Sequence, residues 1–220
     1  MNFRYAIFDM DGTLLDSIPY WERLASGYLA DQKIEDTEGV DEALALMSMS
    51  EGAVWLKERY AIEDSAEEIC REFYHRIEKN YAEDMALKPG VKEYLEQLKK
   101  QGIRMCLATA SDVELGRPAL ERNGILPYFE FLLDCGMTGV GKTSPDIYLM
   151  AARWFGAEPE ECVVFEDAAF AIRTASMAGF HTVGVYEASE HDLDTVKIFS
   201  NVYINSFEEL LVNTEDRRKE

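Results

Sequence analysis

Short apolar runs alternate with stretches of helical spacing along most of the chain. The first run, residues 4–8, is strand-like and ends at an aspartate, Asp9. From residue 88 onward apolar runs and helical segments take turns, which is typical of strands joined by helices in a parallel α/β sheet. Strands are predicted at 103–108, 129–133, 162–165, 182–185 and 202–204, and helices at 91–98, 113–123, 145–156 and 168–178.

The segment between the first strand and residue 88 has a different pattern. Its apolar residues follow helical spacing, as at Ile69, Phe73 and Ile77, and no strand pattern stands out. We therefore predict an α/β core formed by 1–16 and 88–220, with a helical domain, 17–87, inserted after the first strand. Ser144 is expected to cap the helix that opens with Pro145, and the charged residues 214–220 are expected to fray.

The composition is that of a globular protein with an acidic surface. The chain of 220 residues carries 42 Asp and Glu against 22 Lys and Arg, which gives a formal net charge of −20. Such a surface repels phosphate backbones and anionic lipid, so we expect no nucleic-acid partner and no membrane partner. The expected oligomeric state is a monomer.

Neither a membrane span nor an export signal is expected. No apolar run reaches membrane-spanning length, and the N-terminal run is too short for a signal peptide. The four cysteines match no zinc or redox motif in their spacing. Cys106 and Cys162 lie within apolar runs, which predicts buried free thiols. We therefore expect a cytoplasmic protein.

Chemically reactive side chains follow four of the predicted strands. In strand order they are Asp9 with Asp11, Thr109, Lys142, and the pair Glu166 and Asp167. Because ligands of open α/β sheets bind at the carboxyl ends of the strands, we expect these side chains to converge on one site. Asp9 and Asp11 alone could be turn formers before Gly12, but the agreement of four strand ends favours a site.

This collection fits the transfer of a phosphoryl group, which needs a nucleophile, a proton donor and positive charge. Asp9 is the predicted nucleophile, forming an aspartyl-phosphate, and Asp11 is the predicted proton donor to the leaving oxygen. Asp9, Glu166 and Asp167, with a backbone carbonyl, would supply the oxygen ligands that Mg²⁺ prefers. Lys142 is expected to face Asp9 and the phosphoryl oxygens.

The substrate phosphate is expected to meet Thr109 and the backbone N–H groups beside it, at the start of a helix. Thr109 and Asp167 are also suited to capping the helices that follow them, so that alternative stays open. The candidate substrate contacts come from the loops after two strands and from the helical domain: Gly12, Ala110, Ser111, Tyr20, Trp21, Ser48 and Ser50. The expected partner is therefore a small phosphorylated metabolite, and sugar phosphates, nucleoside monophosphates and phosphoglycolate all stay open as its class.

In order and spacing these residues resemble the four motifs of the haloacid dehalogenase-like hydrolases, in the branch with a helical cap after the first strand. Residues 9–13 are similar to the first motif, Thr109 to the second, Lys142 to the third, and Glu166 with Asp167 to the fourth. The resemblance implies a Rossmann-like core, an inserted α-helical cap and dependence on Mg²⁺. It also implies that Asp9 is the nucleophile, and that Asp11 is an acid and base whose backbone carbonyl meets the metal.

Within that branch the chain resembles β-phosphoglucomutase-like proteins and sugar-phosphate phosphatases. The mutases carry a His on the first cap helix and an Arg in a cap loop, where this chain has Trp21 and Glu51. A carboxylate would repel the second phosphate of a bisphosphate, so we expect a phosphatase, with a mutase as the alternative. Dehalogenase activity is disfavoured, because the dehalogenases have Tyr at the position of Asp11 and lack a metal site. Phosphonate hydrolases need a cap lysine, and Lys33 and Lys57 fit solvated helix faces better.

One motif points to a different class of protein. Residues 136–143 satisfy the nucleotide-loop pattern G-x-x-x-x-G-K-[ST], and 162–167 could pass for the acidic strand of such a site. A P-loop nucleotide-binding protein is therefore a remote alternative. It would leave Asp9, Asp11 and Thr109 unused, and it would put the nucleotide loop late in the chain. A binding protein without activity is disfavoured, because all four motif positions are intact.

Overall fold

The chain divides into two compact units. The computed structural model describes residues 3–44 and 47–211. The sheet unit comprises the chain up to Asp16 and from Ala86 onward, and the helical unit is Ser17–Met85. Residues 214–220, which are expected to fray, lie outside the described residues. Among the helices of the described ranges, none has the length and apolar character that a membrane span requires.

The sheet unit is built on six parallel strands in the order β3-β2-β1-β4-β5-β6. They are β1 (Tyr5–Phe8), β2 (Arg104–Thr109), β3 (Leu132–Asp134), β4 (Cys162–Glu166), β5 (His181–Val185) and β6 (Val202–Ile204). This is the strand order of Rossmann-like folds, and it confirms the predicted α/β class. The order reverses at β1, so the crevice at the carboxyl ends of β1 and β4 is where a ligand is expected.

The central strand β1 is buried on both faces. Ala6, Ile7 and Phe8 have no exposed surface, which suits a strand with neighbours on both sides. Phe8 is paired with Leu107 of β2 and with Phe165 of β4, and its ring stacks on that of Phe165 at 4.3 Å between centroids. This register sets the residue after Phe8 level with the last residue of β4.

The helical unit follows the spacing of its apolar residues. Its described helices are α1 (Ile18–Trp21), α2 (Leu24–Asp31), α3 (Val40–Leu44), α4 (Met49–Tyr60) and α5 (Ala66–Glu83). Both α4 and α5 begin with a capping box, made by Ser48 with Glu51 and by Ser65 with Glu68. One stripe of α5 is buried, formed by Ile69, Phe73, Ile77 and Tyr81. The function of this unit as a cap domain stays a prediction.

In the described part of the sheet unit, five further helices are present: α6 (Val91–Lys100), α7 (Val113–Arg122), α8 (Asp146–Phe155), α9 (Ala169–Met177) and α10 (Leu193–Ile198). α8 lies in one core cluster with the sheet, where Tyr148 and Ala151 join Ile7 of β1 and Val164 of β4. Cys106 and Cys162 are buried in the same cluster as free thiols, as predicted.

Two local predictions need correction, and one helix was not predicted. β3 begins at Leu132 rather than at residue 129, because the 3-10 turn Leu126–Tyr128 precedes it and Glu130 makes only a single backbone bond to β2. Ser144 does not cap α8, since Pro145 is the N-cap and the Ser144 hydroxyl donates to the Asp146 carboxylate. The helix α10 was not predicted, because it is short and buries only Val196.

Candidate active site

The carboxyl edge of the sheet brings the predicted core residues together. Asp9 directly follows β1, Thr109 ends β2 and Glu166 ends β4, with Asp167 next in the chain. Lys142 lies in the loop between β3 and α8. All five side chains are buried, although four of them carry ionisable groups. Burial of so many charges is costly unless they compensate one another, so their contacts decide what the site can hold.

Lys142 joins two of the carboxylates. Its Nζ donates to Asp9 Oδ1 and, at 2.5 Å, to Glu166 Oε1. Burial alone would lower the pKa of Lys142, but the carboxylates of Asp9 and Glu166 outweigh it and raise that pKa above its ordinary value. The ammonium group therefore stays charged at neutral pH.

The neighbouring carboxylates crowd one another. Burial raises the pKa of Asp9 well above its ordinary value, with Lys142 lowering it and Glu166 and Asp167 raising it further. Burial likewise raises the pKa of Asp167 to about 7, and Glu166 adds to the rise. Lys88 lowers the pKa of Asp167 but is itself paired with Glu187, so the three carboxylates, when ionised, outnumber the positive charge beside them.

Those three carboxylates fit a divalent cation. One oxygen each from Asp9, Glu166 and Asp167 lies within 4.8 Å of the other two. An all-oxygen donor set with excess negative charge is what a hard ion such as Mg²⁺ prefers. The carboxylate of Asp11 does not belong to this group among the described residues, and its predicted metal contact through the backbone carbonyl stays a prediction.

The turn after β1 adds a residue that sequence analysis did not single out. Thr13 is fully buried, and its hydroxyl donates to Asp167 Oδ1 at 2.7 Å. Gly12 has a φ of 76°, a left-handed conformation that favours glycine, and the chain closes a tight turn there. The signal for Thr13 was its place directly after the Asp-x-Asp-Gly sequence. Gly12 therefore allows the turn to form, and its contact with substrate stays a prediction.

Asp11 is held from the turn after β2. The Ser111 hydroxyl donates to Asp11 Oδ2 at 2.7 Å, and the Ser111 backbone N–H donates to Thr109 Oγ1 at 3.2 Å. Ala110, between them, is exposed. The structure therefore brings Asp11, Ser111 and Thr109 together beside the buried carboxylates.

Neither of the helix-capping alternatives is correct. The N-cap of α7 is Asp112, which accepts from the Glu114 backbone N–H at 2.8 Å, so Thr109 is not the cap. The N-cap of α9 is Ala168, which makes no side-chain capping hydrogen bond, so Asp167 is not the cap. The backbone N–H of Ala169 donates instead to Glu190. Helix capping therefore does not account for Thr109 or Asp167, and both stay candidates for the site.

Comparison with known proteins identifies the family of this chain. The family model of the haloacid dehalogenase-like hydrolases matches residues 3–179. The chain belongs to this family. A phosphorylated carbohydrates phosphatase of Thermotoga maritima is 31% identical over 181 residues, covering 80% of this chain and 82% of the relative. Hexitol phosphatase A of Escherichia coli is 31% identical over 187 residues, covering 84% of each chain.

A solved structure agrees with the fold. The crystal structure of a candidate β-phosphoglucomutase from Thermotoga maritima matches with a TM-score of 0.80 at 28% identity, covering 95% of this chain and 97% of the other. The predicted membership of the haloacid dehalogenase-like hydrolases, and with it the Rossmann-like core, is confirmed. The family accounts for Lys142 and Asp9 together, which the nucleotide-loop pattern at 136–143 does not. In addition, α8 begins at Asp146, beyond that pattern rather than within it.

A second residue of this hydrolase was missed by the sequence analysis. Tyr148, on α8, is fully buried, and its hydroxyl donates to Glu166 Oε1 at 2.7 Å. Burial and the neighbouring Glu166 carboxylate raise the pKa of Tyr148 well above its ordinary value. In the sequence Tyr148 looks like any apolar position of an amphipathic helix, so no pattern could have selected it.

The remaining predicted residues lie in the helical unit. Tyr20 and Trp21 end α1, and the Trp21 ring meets Tyr81 edge-on at 6.5 Å between centroids. Ser48 is the N-cap of α4, which gives its hydroxyl a structural function, and Ser50 lies in the first turn of that helix. Substrate contact by these four residues stays a prediction.

Proposed function

We propose that the protein is a Mg²⁺-dependent phosphatase that hydrolyses a small phosphate monoester, of the sugar phosphate class, through an aspartyl-phosphate on Asp9. The observation that carries the proposal is the buried Asp9 carboxylate, bonded to Lys142 and grouped with Glu166 and Asp167 at the carboxyl edge of the sheet. The names of the relatives support the substrate class, since one is a phosphorylated carbohydrates phosphatase and another a hexitol phosphatase.

The residues of the sheet unit can carry both halves of the reaction. In the first half, an Asp9 carboxylate oxygen attacks phosphorus, the ester P–O bond breaks, and Asp11 donates a proton to the departing alcohol oxygen. In the second half, water attacks phosphorus and gives its proton to Asp11. The bond between phosphorus and Asp9 then breaks, which restores the Asp9 carboxylate and releases inorganic phosphate.

Neighbouring groups orient these two aspartates and balance the charge. The Ser111 hydroxyl holds the Asp11 carboxylate at 2.7 Å, and Lys142 holds Asp9 while offering positive charge to the phosphoryl oxygens. The Thr109 hydroxyl, with its oxygen already accepting the Ser111 N–H, keeps its proton for a phosphoryl oxygen. Asp9, Glu166 and Asp167 would hold Mg²⁺, which supplies further positive charge against the phosphoryl group when bound.

A phosphosugar mutase is the second candidate, because the solved structure with a TM-score of 0.80 is a candidate β-phosphoglucomutase. A mutase must also hold a second phosphate. In the capping box of α4, the Glu51 carboxylate accepts a hydrogen bond from the Ser48 backbone N–H, which lowers the pKa of Glu51. The position where the mutases have Arg therefore carries a negative charge here. A negative charge is a poor partner for phosphate, which favours the phosphatase.

Phosphate release from a panel of sugar phosphates tests the proposal. With Mg²⁺, the wild-type protein is expected to release one phosphate for each ester consumed. Asp9→Asn should abolish this release, while Asp16→Asn, the same change at an exposed carboxylate in the same segment, should leave it intact. Interconversion of glucose 1-phosphate and glucose 6-phosphate with little release would establish the mutase instead.

A further inference from the structure

Tyr148 is a polar residue placed deep in an apolar cluster. It has no exposed surface and lies in the core cluster with Ile7, Ala151 and Val164. Its ring meets Phe180 edge-on at 6.1 Å between centroids. A phenylalanine would serve this packing equally well, so packing alone does not explain the hydroxyl.

Among the residues that the structure describes, the hydroxyl bonds to the carboxylate of Glu166 alone. It donates to Glu166 Oε1 at 2.7 Å, and Lys142 Nζ donates to the same oxygen at 2.5 Å. Both hydrogen bonds that this carboxylate accepts from described residues therefore end on Oε1. Two donors from different elements, α8 and the loop before it, fix the carboxylate plane more tightly than one donor could.

We infer that Tyr148 is a positioning residue for the divalent ion, whose hydroxyl holds Glu166 by Oε1 so that Oε2 is presented to the metal. The inference rests on the proposed function, because it takes Glu166 to be a ligand. Donors that orient a ligating carboxylate typically change metal affinity by about 10–100-fold. Lys142 remains bonded to Glu166 when the Tyr148 hydroxyl is removed, so we expect a loss of metal affinity at the low end of this range for Tyr148→Phe.

Calorimetric titration of metal-free protein with Mg²⁺ measures this without reference to turnover. Tyr148→Phe is expected to weaken Mg²⁺ binding by about tenfold, while its melting temperature without metal stays near that of the wild type. Tyr94→Phe is the matched control, because Tyr94 on α6 is also buried and packs on Phe165 and Phe207. It should bind Mg²⁺ as the wild type does.

A double-mutant cycle separates positioning from general packing. If Tyr148 acts through Glu166, removing its hydroxyl in a Glu166→Gln background should leave Mg²⁺ affinity unchanged. Wild-type affinity in Tyr148→Phe, or an equal loss in Tyr94→Phe, would overturn the inference while the phosphatase proposal stands. An equal loss in both backgrounds of the cycle would also overturn it. Absence of Mg²⁺ binding by the wild type would remove the metal site itself, and the inference with it.

Discussion

The Nζ atom of Lys142 donates a hydrogen bond to Asp9 Oδ1 across 133 positions of sequence. The sheet makes this possible, because the carboxyl ends of β1 and β4 meet at one edge and the loop after β3 reaches the same edge. The same ammonium group is bonded to Glu166, so one cation serves two buried carboxylates. Both the stability and the chemistry of the site should therefore depend on Lys142.

Lys142→Ala should reduce both properties. It leaves Asp9 and Glu166 without their buried counter-charge, which typically costs about 3–5 kcal/mol of unfolding free energy. It also removes positive charge from the transferring group, and we expect kcat to fall by about 100–1,000-fold. Thermal denaturation and steady-state kinetics measure the two effects.

The control for Lys142 is an exposed lysine in an ion pair. Lys100 pairs with Glu96 at 3.1 Å with its side chain 73% exposed, so Lys100→Ala should leave activity intact and change stability by less than about 1 kcal/mol. A folded Lys142→Ala protein with a wild-type rate would show that the cation plays no part in catalysis.

Asp11→Asn should slow the enzyme most on substrates with poor leaving groups. The amide cannot protonate the leaving oxygen, so the first half of the reaction, measured as alcohol release in a single turnover, should slow by about 100–10,000-fold with alkyl phosphates. A p-nitrophenyl ester needs little protonation and should lose much less. Ser111→Ala, which removes the bond to Asp11 Oδ2, should give a smaller loss with the same order of leaving groups. Equal losses on both esters would remove Asp11 from the role of acid.

Melting temperatures with and without Mg²⁺ should show whether Asp167 is a metal ligand or only a buried acid. Mg²⁺ is expected to raise the melting temperature of the wild type, and a chelator should abolish both that rise and phosphate release. Asp167→Asn should lose the rise, yet without metal it should be at least as stable as the wild type, because it relieves the crowding of three carboxylates. A wild-type response to Mg²⁺ in Asp167→Asn would place the ion elsewhere.

The sequence predicted the part of the site that depends on topology. Asp9, Lys142 and Glu166 could be expected in one place, because parallel strands end at one edge and each residue follows a strand. The position of Thr13 after Asp-x-Asp-Gly indicated a place near the site, but its bond to Asp167 could not be predicted, and neither could the bond of Tyr148 to Glu166. Both bonds depend on the direction of a side chain, after a turn or on a helix. The same holds for Ser144, whose hydroxyl bonds to a side chain instead of capping α8.

The specificity of the enzyme was out of reach for a different reason. Ser48 was a candidate substrate contact by its position in a cap loop, but its side chain accepts the Glu51 backbone N–H of α4. A serine that caps a helix and a serine that binds a sugar hydroxyl have the same sequence signature. Only measured substrates can separate the two functions.

In the proposed reaction the phosphoryl group passes through Asp9. Acid quenching during turnover, followed by peptide mass spectrometry, measures it most directly, because an acyl phosphate survives briefly in acid. The peptide that contains Asp9 is expected to carry the added mass of one phosphoryl group. Asp9→Asn is expected to show neither this mass nor turnover. Turnover by a folded Asp9→Asn protein, with no phosphoryl group on that peptide in the wild type, would show that the reaction does not pass through Asp9.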